Sequence, residues 1–218
     1  MIPALGFSAI LSALLCAFYM KLLLPYYGGK YYLESTDRAA RPAYLIPVSF
    51  ITAAAAFILI LMRGGEGIYL AGNLFIGAVL LAISAIDLSF RKIPNELVLV
   101  IMLWAVFLGI YQSSHIADIF SGGIAASLLP AAAGLLGGKI GAGDIKLMFS
   151  VGLCLGLWLA ISFFAITFIL AAFILLFLFF FKKITPKTKV PLAPFMAAAF
   201  VFTACFDYFI IDFWRIII

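Results

Sequence analysis

Charge is scarce in this chain: only 11% of its 218 residues are Asp, Glu, Lys or Arg, and histidine occurs once. A soluble domain carries about 25% charged and about 45–50% apolar residues, so a 67% hydrophobic content excludes that class and implies a bilayer. The residues of metal and disulfide chemistry are also sparse. Cys16, Cys154 and Cys205 stand singly, with no Cys-x-x-Cys spacing, and read as small buried hydrophobes. His115 lies near Asp118 with no second ligand nearby and reads as a solvated loop residue. No metal or cofactor is expected. The one glycine-rich stretch is not a nucleotide loop, because Gly138-Lys139 is followed by Ile140 and Ala133 stands where the first glycine belongs.

What the chain has is long apolar runs. The net charge of +5 would suggest nucleic acid in a soluble protein, but here the cations fall in short loops between those runs, as membrane topology requires. The expected partner is the lipid bilayer, with no nucleic acid. Apolar stretches bounded by charge, Gly and Pro predict an all-α, polytopic membrane helix bundle of about eight transmembrane helices. Their ranges are about 3–24, 44–62, 67–87, 96–112, 118–137, 145–157, 159–181 and 190–213. One helix over 145–181 would reach roughly 55 Å, nearly twice the hydrocarbon thickness, so a turn is expected near Gly156-Leu157-Trp158. The first run has no Lys or Arg before it and no convincing cleavage site after it, and is expected to stay as an anchor. The whole of 1–218 is read as a single integral membrane domain.

With eight spans, twelve of the fourteen lysines and arginines fall on one side, with only Arg63 and Arg215 opposite. The positive-inside rule makes that side cytoplasmic. Asp87 and Asp144 then both come to the cytoplasmic edge, joined by an out-and-back pair of helices. A carboxylate is costly near a bilayer core, so each is a candidate functional residue. Each also heads a signature: Asp87 precedes Arg91-Lys92-Ile93-Pro94-Asn95, and Gly141-Ala142-Gly143-Asp144 precedes Ile145-Lys146-Leu147.

Two neighbouring carboxyls suit peptide hydrolysis. One, ionised, takes a proton from water, while the other, protonated, polarises the scissile carbonyl. Mutual repulsion leaves one shared proton on such a pair. Gly141 and Gly143 lack a Cβ, tolerate positive φ and would let a substrate backbone lie close, although they could equally mark a helix terminus. Pro94 and Asn95 are candidate substrate contacts, and Pro94 alternatively starts the next helix. Lys139 and Lys146 flank the second aspartate and could pair with it, contact lipid headgroups or both, the headgroup role being the favoured reading. Gly134-x-x-x-Gly138 and Gly152-x-x-x-Gly156 are small-residue faces suited to helix packing. The segment Pro25–Pro42, with four tyrosines, is either a substrate-ordering loop or a solvated connector. Asp207, Asp212 and Arg215 are read as a surface network at the outer end of the last helix.

Together, Asp87 ahead of Ile93-Pro94-Asn95 and Gly141-x-Gly143-Asp144-x-Lys146-Leu147 resemble the type IV prepilin peptidase family. These are GxGD intramembrane aspartyl proteases related to archaeal preflagellin peptidases. The resemblance runs from about residue 68 to 200, where Pro191-Leu192-Ala193-Pro194-Phe195 looks like the family's C-terminal proline segment. It implies that Asp87 and Asp144 are the catalytic dyad, and that the motifs within 87–147 form the site. It also implies the partners: prepilin or pseudopilin precursors whose short basic leader, ending in glycine, is cut at the cytoplasmic membrane face before a hydrophobic helix.

Many bacterial members carry two Cys-x-x-Cys pairs in the loop after the first span and also methylate the new N-terminus from S-adenosylmethionine. Pro25–Pro42 has no cysteine, which argues against both the zinc site and methyltransferase activity. Pro191 and Pro194 are given no catalytic part, because Leu-Ala stands where Phe-Gly is common. The expected protein is an aspartic endopeptidase of a prokaryotic cytoplasmic membrane, serving type IV pilus assembly or protein secretion. Two other classes stay open: a proton-coupled transporter, since such carboxylates also mark ion pathways, and a non-enzymatic assembly subunit whose acids pair with Arg91 and Lys146.

Overall fold

In a computed structural model of the chain, residues 67–111, 116–136, 140–181 and 190–217 are described. The predicted spans 3–24 and 44–62, the loop Pro25–Pro42, Cys16, His115, Gly138, Lys139 and the basic run 182–189 lie outside them. The described residues form seven helices: α1 (Gly67–Phe90), α2 (Asn95–Tyr111), α3 (Ile116–Leu135), α4 (Ala142–Leu155), α5 (Leu157–Phe180), α6 (Ala193–Cys205) and α7 (Asp207–Ile217). Among them there is no strand. A helix satisfies its own backbone polar groups, which apolar surroundings demand.

Two of these helices contain stretches long and apolar enough to cross a membrane, Ile116–Leu135 and Leu157–Phe177, and a third span arises if α6 and α7 count as one. Gly72–Leu88 and Asn95–Tyr111 are apolar but shorter. The described residues therefore give two to three candidate spans where six of the eight predicted ranges fall. The predicted span 190–213 needs correction, since it is broken at Phe206 into two helices bent by 78°. At 11 residues, α7 reaches only about 16 Å. It packs back on α5, where the Trp214 indole N–H donates to Ser162 Oγ at 3.0 Å and the Trp158 and Trp214 rings lie 5.3 Å apart. Asp207 likewise departs from the surface network predicted for it: it is buried, and accepts the Tyr208 N–H at 2.9 Å. Asp212 and Arg215 do pair at the surface, at 3.4 Å.

The expected turn at Gly156 is present. Its φ of 71° is a left-handed value that glycine adopts without a Cβ penalty, and it separates α4 from α5. The small-residue face of α4 also works as expected, with a partner the sequence reading did not single out. Gly152 meets Gly122 of α3 so closely that a Cβ on either would collide with the other's carbonyl oxygen. Small residues allow that approach of backbones.

Around this contact α4 packs against α2, α3 and α5, while α1 packs mainly on α6. The core joins Ile76, Leu80 and Ile83 of α1 to Ile101 of α2, Leu147 and Met148 of α4, Phe163 of α5 and Phe200 of α6. On α1 the buried positions Ile76, Leu80, Ile83 and Asp87 recur at helical spacing along one face. Asp87 thus ends the core stripe, which carries its carboxylate inward.

Candidate active site

Asp87 sits one turn from the end of α1 with only 5% of its surface exposed. A buried carboxylate needs partners. One is the backbone N–H of Ala193, which donates to Asp87 Oδ2 at 3.3 Å from the first residue of α6. Another is Arg91, whose guanidinium acts on it as an opposite charge. Arg91 follows the last residue of α1, donates its N–H to the Asp87 carbonyl at 2.8 Å and adopts a left-handed φ of 53°. It takes the conformation that glycine usually fills at a helix end, at a cost in backbone strain, and places a cation beside Asp87.

Asp144 is the third residue of α4, behind Gly141 as N-cap. Gly141 has no side chain to cap the helix; instead the Asp144 carboxylate reaches back to the Gly141 backbone N–H. This is the acidic half of a capping box, with the carboxylate at the positive end of the helix dipole. Asp144 lies ahead of the apolar part of α4. Burial, and secondly the charge of Asp87, push its pKa up to about 6 from an ordinary 3.8, against the lowering effect of the Gly141 N–H.

The two aspartates line one cavity of about 290 Å³, together with Arg91, Lys92, Ile93, Asn95, Gly141, Gly143 and Lys146. The glycines' role differs in part from the one expected. Gly141 has an extended φ of −70° and opens a helix, and neither it nor Gly143 has a positive φ. What they supply is room. A Cβ on Gly141 would stand 3.0 Å from Asp144 Oδ2, and one on Gly143 would stand 3.2 Å from Ile93 Cβ. Gly143 therefore seats the second signature directly against the Ile93-Pro94-Asn95 of the first.

Asn95 and Lys146 reach the cavity and bond to each other, with Lys146 Nζ donating to Asn95 Oδ1 at 3.4 Å. That gives Lys146 a protein partner beside the headgroup role expected of it. Pro94 is buried and does not line the cavity; its carbonyl accepts the Val98 N–H at 3.3 Å and so starts α2. The group missed from sequence is the Ala193 N–H. Its signal was the proline pair Pro191 and Pro194, which begins α6 there. Among the described residues no group of three or more His, Cys, Asp or Glu is arranged to hold a metal ion.

A family model described as the type IV leader peptidase family matches residues 74–176, a stretch that contains both aspartates and both signatures. Over those residues the chain is similar to the type IV leader peptidase family. The matched segment runs from α1 through most of α5 and leaves α6 outside, so the Ala193 contact to Asp87 comes from beyond the match. No curated protein and no solved structure matches the chain significantly.

Proposed function

We propose that the chain is an intramembrane aspartyl endopeptidase in which Asp87 and Asp144 form the catalytic dyad. The observation that carries this reading is the shared cavity, in which burial and, secondly, the charge of Asp87 raise the proton affinity of Asp144. The pair holds one proton between them. A water molecule between the carboxyls gives its proton to the ionised one as it attacks the scissile carbonyl, while the protonated one donates to the carbonyl oxygen. Collapse of the tetrahedral intermediate then breaks the C–N bond: the departing amine takes the proton gained from water, and a hydroxyl of the intermediate returns its proton to the other carboxyl as the C=O re-forms. The two carboxyls supply both acid and base, so the peptidase chemistry calls for no metal or cofactor.

The substrates in this reading are prepilin or pseudopilin precursors, cut after a short basic leader at the cytoplasmic face of a prokaryotic cell membrane. Gly141 and Gly143 leave room for the substrate backbone, Asn95 contacts it, and Pro94 holds Asn95 at the start of α2. The full chain forms one membrane domain of about eight spans, an arrangement supported by its apolar runs and by the side on which its cations fall.

Cleavage of leader-bearing precursors in membranes tests the reading, with wild type compared with Asp87→Asn and Asp144→Asn at matched levels. Each substitution should reduce cleavage at least about 100-fold, the lower end of the contribution of a general acid or base. Activity persisting in either variant would remove that residue from the dyad. Solute-dependent flux in vesicles without any cleavage would point to transport instead.

A further inference from the structure

Beside the dyad cavity runs a second, larger one. It encloses about 540 Å³, within the roughly 300–1,000 Å³ range of ligand sites. One face of α2, Asn95, Val98, Leu99 and Met102, forms one wall at i, i+3, i+4 and i+7 spacing, and Ile145 and Phe149 of α4 form the other. Ser127 of α3 also lines it, but its hydroxyl donates to the Gly123 carbonyl of its own helix at 2.8 Å, so the groove stays effectively apolar. Asn95 and Lys146 belong to both cavities. Their 3.4 Å hydrogen bond between exposed side chains is the partition between a polar chamber and an apolar one.

We propose that this groove is the binding site for the first apolar residues on the mature side of the scissile bond of a leader-bearing precursor. The proposal rests on the peptidase reading and adds where its specificity lies. A peptide whose scissile bond sits at the dyad must leave the chamber in both directions. The chamber holds three cations, Arg91, Lys92 and Lys146, against two carboxylates, so its charge does not select a basic leader. The adjoining apolar groove does match an apolar mature segment. From Asn95 to Met102 it runs about 10 Å along α2, enough for about three extended residues. An acyl chain has comparable chemistry, so labelling of lipid alone is the outcome that would assign the groove to it instead.

Two arms test this in the full chain in membranes. A photoreactive benzoylphenylalanine replaces Met102 in the groove or, as control, Leu103, the next residue, which is 62% exposed. Position 102 should form adducts with the residues just after the leader of a labelled precursor, and position 103 should not. In the second arm, kcat/KM is compared for a full precursor and for a short leader peptide whose last residue carries a fluorogenic arylamide in place of the mature segment, so that both have a scissile amide. Met102→Trp should lower the precursor-to-peptide ratio at least tenfold through KM, and Leu103→Trp should leave the ratio unchanged. Adducts from position 102 with lipid alone, or a ratio unchanged by Met102→Trp, would overturn the proposal. Failure of the peptidase reading is separately visible, because wild type would then cut neither substrate.

Discussion

The buried carboxylate of Asp87 accepts a hydrogen bond from the backbone N–H of Ala193, 106 residues further along the chain. This one contact ties the start of α6 to the end of α1. A hydrogen bond to a charged group contributes about 1.5–3 kcal/mol. Asp87→Leu should therefore speed exchange of the Ala193 amide hydrogen by about tenfold or more, whereas Asp87→Asn, which keeps an accepting oxygen, should largely preserve its protection. Equal exchange in wild type and Asp87→Leu would refute the tether.

Arg91 holds a left-handed conformation without being glycine. Such a conformation costs an L-residue roughly 1–2 kcal/mol, part of which the extra backbone freedom of an unfolded glycine offsets. Arg91→Gly should accordingly be more stable than Arg91→Ala, by about 1 kcal/mol in thermal denaturation. Both should lose cleavage activity, and Arg91→Lys should retain most of it. That order separates the cation beside Asp87 from the backbone strain, because stability and activity would rank the variants differently.

Asp144 is the titrating group to follow. Its folded pKa of about 6 lies above the ordinary 3.8, so between those values the folded state holds a proton that the unfolded chain has released. The associated stability is complete below about 4 and falls as pH rises to about 6. The infrared band of a protonated carboxyl should fade over the upper part of that window in wild type and be reduced in Asp144→Asn. The Asn variant should also lose the corresponding slope of melting temperature against pH.

The contact between Gly143 and Ile93 links the two signatures and can be tested by compensation. Gly143→Ala places a methyl 3.2 Å from Ile93 Cβ, so Ile93 must give way, with an overpacking cost of about 1–3 kcal/mol. Ile93→Ala in the same chain should recover part of the lost activity by making room. Strict additivity of the two substitutions would argue against direct contact.

Much of this arrangement is legible along the chain because helix periodicity is local. The apolar runs mark six of the predicted ranges that fall on described helices, with ends displaced by a few residues, and Gly156 marks the break between α4 and α5. The bend at Phe206 was not legible, because neither Pro nor Gly marks it and the single Asp207 beside it, set in an apolar run, does not by itself stop a helix. The burial of Asp207 follows from that bend and was missed with it. At the site, the aspartates, Gly141, Gly143 and Asn95 were all picked out by residue type and spacing. The Ala193 N–H was not, because every residue except proline carries a backbone donor and only folding gives one of them a carboxylate partner.

By itself the sequence determined that the described chain is helical and apolar and that two rare carboxylates head two signatures. Composition and period suffice for this, since they act within a span or a loop. Tertiary structure alone decided that Gly143 rests on Ile93, that the Asp87 carboxylate caps the α6 N-terminus, and that an apolar groove opens beside the cavity lined by the two aspartates. Those relations join residues tens of positions apart, and their geometry is fixed by close packing of helices whose register no local pattern specifies.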